Sequence, residues 1–370
     1  MKAVIGGAGA VVTGAAAAAL AVASRRRAAD PYQGEPLGEL APDRVSTVAA
    51  DDGSPLAVRE ILPPDGGEPE ITLVGVHGFA LSSSSWYFQR RDLAALTLPR
   101  VRQVYYDHRG HGRSGSSTPD TGTIDQLASD LHAVLRAVAP DGPIVLLGHS
   151  LGGMTIIALA EQQPGLFADR VRGVCLITTA AGEVGRAGLP RSVLARYSPV
   201  GWSAGRLGGL AEWQPGLVEF VRAAGGQLTR RAVRRLAFGD NRVPASVVEF
   251  LLAELDGTPV RELVNFIATL GEHNRYAALT ALKATHVLVI GAENDVITPV
   301  SHSERIVADL PDAELVRVPR AGHLVQFEQP EVVNSHLIDL LQRSVGAQAG
   351  RAGSAGSGSP RRKVLRRWFG

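Results

Sequence analysis

One serine in this chain stands where a hydroxyl could become a nucleophile. Along Ile144-Val145-Leu146-Leu147-Gly148-His149-Ser150-Leu151-Gly152-Gly153 an apolar run enters Gly-x-Ser-x-Gly, and a helical pattern follows at once. A serine at a sharp strand-to-helix turn has a strained backbone that lifts its hydroxyl clear of the sheet. Strand and helix approach closely there, so the residues two before and two after must be small. Gly148 and Gly152 meet that demand. The start of the helix also presents backbone N–H groups that lack intrahelical acceptors, and the Leu151 amide is placed to donate to an oxyanion formed during acyl transfer.

A serine hydroxyl is a poor nucleophile until an imidazole accepts its proton, and the imidazole needs a carboxylate to hold its tautomer. Ten histidines are available. His323, in Pro319-Arg320-Ala321-Gly322-His323-Leu324-Val325, falls in a loop between the last predicted strand and the last predicted helix. His149 adjoins the serine, but a tight turn points it away, so it is assigned to packing or hydrogen bonding. The loop after the apolar run Val287–Ile290 offers two carboxylates, Glu293 and Asp295, followed by Pro299.

The elements that must carry these residues follow a regular order. Val45–Ala49 and Leu56–Leu62 read as strands joined through Asp52-Gly53, a common hairpin turn. Strands are predicted at Ile71–Val76, Val101–Tyr106, Ile144–Leu147, Val171–Ile177, Val287–Ile290 and Glu314–Val318, all short apolar runs suited to a sheet buried on both faces. Helices are predicted at Ser85–Leu96, Ile124–Val138, Leu151–Gln163, Ser301–Leu310 and Glu331–Val345. An antiparallel start followed by βα repetition implies a mostly parallel central sheet with helices on both faces. Residues 183–276 break the rhythm with helix-like stretches such as Pro215–Ala224 and Ala245–Asp256, and are expected to form a helical lid inserted over the sheet. Its Leu189, Trp202, Leu207, Leu210, Trp213, Phe220 and Phe266 are candidates for an apolar acyl site, although many of them must pack the lid itself.

Taken together, these motifs resemble the α/β-hydrolase superfamily over roughly Val45–Val345. His77-Gly78-Phe79 after the third strand is similar to the family's oxyanion loop, which implies the Phe79 amide as the second oxyanion donor. Tyr106-Asp107-His108-Arg109-Gly110-His111-Gly112-Arg113-Ser114 resembles the D-x-R-G-x-G-x-S loop, a marker whose Asp and Arg would fix the loop, with structural or surface roles for His108 and His111. Asp295 with Pro299 matches the family's D-x-[VI]-x-P pattern, whereas Glu293 falls in the turn before it and is expected in solvent. His323 lies where the family carries its base. The resemblance thus implies an α/β-hydrolase fold and a Ser150, Asp295, His323 triad in the family's chain order.

The activity implied is cleavage of a carboxylic ester or thioester of an apolar acid. Perhydrolases (haloperoxidase-like), C–C bond hydrolases and aminopeptidases use a similar triad and stay open, as does, more remotely, a non-catalytic binding protein on the same fold. Epoxide and haloalkane hydrolases carry Asp at the nucleophile position, and Ser150 argues against them.

Composition narrows the rest. The 370 residues are 45% hydrophobic and 20% charged, suited to a globular protein with a substantial core. Lys and Arg total 38 against 36 acidic residues, a net charge of +2 that lacks the basic excess of a nucleic-acid binder. The lone cysteine, Cys175, sits in an apolar run and reads as core. No spaced set of metal ligands appears. Gly7-Ala8-Gly9 with Gly14 lacks the spacing and the βαβ context of a dinucleotide site, so no cofactor is expected. Val4–Ala23 is uncharged and mildly apolar, with Arg25-Arg26-Arg27 after it. It is either a signal peptide cut after Ala21-Val22-Ala23 or an uncleaved anchor; the basic flank favours the anchor, and either version directs the protein to a membrane or the cell envelope. Asp30 to Pro42 reads as a linker, and residues 346–370 as a disordered tail whose basic, aromatic end suits an anionic membrane surface.

Overall fold

The computed structural model describes residues 30–184 and 230–354. Within them, eight strands form one sheet in the order β1-β2-β4-β3-β5-β6-β7-β8. They are β1 (Arg44–Ala49), β2 (Pro55–Ile61), β3 (Ile71–Val76), β4 (Val101–Tyr106), β5 (Ile144–His149), β6 (Val171–Ile177), β7 (His286–Ala292) and β8 (Glu314–Val318). β1 and β2 form the expected antiparallel hairpin, and β2 meets β4 antiparallel. From β4 onward every neighbouring pair is parallel. This is the mostly parallel sheet of the α/β-hydrolase fold.

Side chains alternate along each strand, and the two faces build two cores. Val74, Tyr106, Leu146 and Val174 point into one core, covered by α2 (Ile124–Val138) and α3 (Leu151–Gln162). Leu73, Tyr105, Val145 and Cys175 point into the other, covered by α1 (Tyr87–Leu93) and a final helix that starts at Pro330. Burial on both sides explains why β3 and β5, apart from Thr72 and His149, are apolar rather than alternating. Cys175 is fully buried, and burial pushes its thiol well above the usual range, as a core residue requires.

Beyond α4 (Pro164–Asp169) and β6, the interrupted region runs through α5 (Arg230–Ala237), α6 (Ala245–Asp256) and α7 (Val260–Glu272). α6 has the bounds expected from the sequence. The predicted helix Pro215–Ala224 and the residues Leu189, Trp202, Leu207, Leu210, Trp213 and Phe220 lie outside the described residues; Phe266 is buried on α7. The base of the insertion is closed by a bridge between Gly182 and Asn274 and by the Arg275 amide donating to the Ala181 carbonyl at 2.6 Å.

Two expectations change. Asp30–Pro42 does not hang free as a linker. Its Asp30 carboxylate accepts from the Ser246 amide and hydroxyl at the start of α6, at 2.8 and 2.7 Å. Glu35 pairs with Arg91, Tyr32 packs at a tilt against Phe88, and the Leu40 carbonyl accepts from Arg90. Pro and Gly exclude regular structure there, but the side chains between them still dock. The final helix likewise passes Val345 and continues to Ser354, since the Ala, Gln and Arg that follow permit helix. Among the described residues no helix is long and apolar enough to cross a membrane; the N-terminal apolar segment and the basic C-terminus lie outside them.

Candidate active site

β5 delivers the serine. Ser150 caps α3 with φ 52° and ψ −117°, a left-handed conformation that a non-glycine residue adopts only under constraint. Its amide donates to the Ile177 carbonyl on β6 at 3.0 Å, and its carbonyl accepts from the Thr179 hydroxyl at 2.6 Å. The glycine requirement is visible in the packing: a Cβ on Gly152 would lie 2.0 Å from the Val76 carbonyl oxygen, and one on Gly148 would meet Ile156 and the Gly153 amide nitrogen at 2.6 and 2.7 Å. The close approach of α3 to the end of β3 also sets the His77-Gly78-Phe79 loop beside the serine turn.

The three residues singled out in the sequence meet in one line. The His323 ring lies with Nε2 2.9 Å from Ser150 Oγ and Nδ1 2.9 Å from Asp295 Oδ2. Asp295 is held in turn. Its Oδ1 accepts from the amides of Ile297 and Thr298 at 2.7 and 3.0 Å, and the Thr298 hydroxyl lies 2.8 Å from Oδ2. A carboxylate so fixed dictates the imidazole tautomer, with the proton on Nδ1 and the lone pair of Nε2 facing the hydroxyl. Ser150, Asp295 and His323 are 8, 5 and 3% exposed, so water competes weakly for these bonds. Glu293 is exposed and pairs with Arg317.

Three neighbours brace the His323 loop. The His323 carbonyl accepts from the Thr178 hydroxyl and from His149 Nε2, each at 2.9 Å. Thr178 itself has a positive φ of 40°, costly for a β-branched residue, and its carbonyl lies 2.8 Å from the Thr298 hydroxyl. Burial drives the His149 ring well below its usual range, so it stays neutral beside His323. His149 is thus a strut, turned away from the Ser150 hydroxyl as its position in the turn requires. Thr178 and Thr298 had no sequence signal beyond lying after β6 and inside the acid loop.

The His77-Gly78-Phe79 loop is shaped by the histidines of the D-x-R-G loop. His111 Nε2 accepts from the Ala80 amide at 3.2 Å, and His77 Nε2 accepts from the His108 amide at 2.9 Å. All three rings are buried, so His108 and His111 are structural and not at the surface. Burial lowers the pKa of each, His77 to about 4. Phe79 is buried against His111, and His111 in turn packs on Phe266 of the insertion. Asp107 and Arg109 tie the loop down. Asp107 accepts from the Ser83 and Arg113 amides, and the buried Arg109 is held bidentately by Asp130 at 2.6 Å and by Asp52. No group of three or more metal-ligating side chains occurs among the described residues.

With fold and geometry in hand, comparison with known proteins gives the class. The chain matches the alpha/beta hydrolase family over residues 73–336 and belongs to it. It is 29% identical over 282 residues to the dihydrolipoyllysine-residue acetyltransferase component of the acetoin cleaving system of Pseudomonas putida, covering 75% of this chain. The chain spans 65% of that relative's length. The enol-lactonase from Burkholderia xenovorans LB400 superposes with a TM-score of 0.61 at 21% identity, covering 80% of this chain and 99% of its own. The bromoperoxidase from Bacillus anthracis superposes with a TM-score of 0.62 at 17% identity, covering 81% of this chain and 100% of its own. The protein is therefore a hydrolase-family member whose fold is shared with these two enzymes.

Proposed function

We propose that the protein is a serine hydrolase that cleaves a carboxylic ester or thioester of an apolar acid. The observation that carries this reading is the unbroken hydrogen-bonded line from Ser150 Oγ through His323 to Asp295. In the first half-reaction His323 Nε2 takes the hydroxyl proton as Oγ attacks the carbonyl carbon, and Asp295 stabilises the imidazolium that results. The carbonyl oxygen gains charge and is met by the amides of Phe79 and Leu151. His323 then protonates the leaving alcohol or thiol, leaving an acyl group on Ser150. In the second half-reaction water adds to the acyl carbon as His323 takes its proton, and the imidazolium returns that proton to Oγ as the C–Oγ bond breaks, which releases the acid and restores the hydroxyl.

The contact chain from Phe79 through His111 to Phe266 packs the loop beside Ser150 against the insertion with buried aromatic rings, an apolar setting that supports an apolar acyl group. We take that insertion as the lid, because its helices are tied to the loops that frame Ser150. The Glu254 carboxylate of α6 accepts from the Ser82 amide at 2.9 Å, and Glu262 of α7 accepts from the Ser117 amide at 2.8 Å.

The test is labelling by a serine-directed fluorophosphonate with a p-nitrophenyl ester assay alongside. Wild type is expected to label and to turn over, Ser150→Ala to do neither, and His323→Ala to lose several orders of magnitude in kcat. Equal labelling of wild type and Ser150→Ala would remove Ser150 as the nucleophile.

A further inference from the structure

Glu328 has no part in the chemistry just described, yet it joins two pieces of chain that meet at the base. It ends the short helix Val325–Glu328, five residues after His323. One carboxylate oxygen, Oε1, accepts from the Gly322 amide at 2.6 Å, the residue before the base. The other, Oε2, accepts from the amides of Gly239 and Asp240 at 2.9 and 3.2 Å, in the turn after α5 of the insertion. That turn reaches the acid loop as well. The Gly239 carbonyl accepts from Asn294 Nδ2 at 3.1 Å, and Asn294 is the neighbour of Asp295. Around these bonds the backbones touch: a Cβ on Gly239 would lie 2.3 Å from the Ala321 carbonyl carbon, and the Leu324 amide donates to the Ala237 carbonyl at 3.1 Å.

We propose that Glu328 is a positioning residue, a half-buried carboxylate clasp that fixes the His323 loop against the Gly239 turn and so makes the reach of the base depend on the seat of the insertion. The inference rests on reading Ser150, His323 and Asp295 as a triad. Three amides converge on one half-buried carboxylate, and burial pushes that carboxyl up to about 7 while those amides pull it back. A glutamine keeps the volume but only one oxygen. Its amide group must then face either the Gly322 N–H or the Gly239 and Asp240 N–H groups, donor against donor.

The experiment measures fluorophosphonate inactivation rate, kcat and KM for wild type, Glu328→Gln and Glu328→Ala of the full chain, with thermal melts in parallel. A shift of the base by a fraction of an ångström is expected to slow inactivation and kcat by about tenfold in Gln and further in Ala, with KM within about twofold. Gln at the wild-type rate would show that Glu328 only fills space and would overturn the inference. If the Glu328 variants do not fold, Asn294→Ala removes the second strut of the same turn. It is expected to lower kcat several-fold without changing KM, and a wild-type kcat there overturns the inference as well. Failure of the wild type to label at Ser150 would strike the triad reading itself, a result distinct from equal rates across labelled variants.

Discussion

Gly152→Ala isolates the demand that the serine turn places on the chain. The added methyl would sit 2.0 Å from the Val76 carbonyl oxygen and 2.7 Å from that of His77, both backbone atoms at the end of β3. Ordinary contact begins near 3.4 Å, so α3 and β3 must part by about 1.4 Å. Neither can yield alone: α3 is anchored by the Ser150 cap, and β3 is paired on both sides with β4 and β5. Forcing a methyl against fixed backbone should cost about 3 kcal/mol of stability. The functional loss should be larger, because the end of β3 leads straight into Phe79. A displacement of about 1 Å between nucleophile and oxyanion donors costs on the order of a hundredfold in rate. Urea unfolding and the second-order rate of fluorophosphonate labelling measure the two effects. Gly165→Ala is the control, since nothing lies within 4 Å of a Cβ there, and it should be neutral or stabilising by about 0.5 kcal/mol. Gly152→Ala labelling at the wild-type rate, with an unchanged urea midpoint, would refute the steric argument and the placement of the oxyanion loop that follows from it.

Two further outcomes are expected. Asp130→Ala should cost about 3–5 kcal/mol in urea unfolding because it strips the buried Arg109 of its buried partner, whereas Asp52→Ala, on the half-exposed side of the same guanidinium, should cost under about 1 kcal/mol; equal costs would contradict this division. Acid should also unfold the protein through its buried histidines. His77 and His273 are held neutral to about 4, while in the unfolded chain they take up a proton near 6.5, so the stability they contribute is intact above 6.5 and is lost as pH falls from 6.5 toward 4. Each accounts for roughly 3 kcal/mol at most. Circular-dichroism melts between pH 7 and 4 should fall accordingly, with a shallower fall in His273→Gln; an identical profile for that variant would count against the assignment.

Much of this site was legible because its signals are local. Ser150 is marked by an apolar strand, two obligate glycines and a helix within ten residues, and each feature reflects a steric need of the turn. Asp295 and His323 each follow a strand, and the family pattern separates Asp295 from Glu293 where spacing alone does not. What escaped the sequence depends on distant partners. The D-x-R-G histidines look like polar surface residues, yet His108 and His111 are buried because the His77 carbonyl and the Tyr106 hydroxyl partner the first ring and the Ala80 amide the second. Thr178 has nothing around it to announce a positive φ; the strain exists because its hydroxyl must reach the His323 carbonyl. Glu328 reads as an ordinary acid near a helix end, and its amide partners lie next to the base and about ninety residues back along the chain. Asp30 to Pro42 departs from its linker-like composition for a related reason. Composition reports whether a stretch can form helix or strand, and is silent on whether its carboxylates will find a helix to cap.

That docked stretch governs the geometry of anything attached upstream. Because the Asp30 carboxylate is bonded to Ser246 in the first turn of Ala245–Asp256, whatever is joined ahead of Asp30 is tethered at that turn. A purification tag or fluorescent fusion joined there would therefore load the helix whose Glu254 holds the Ser82 amide.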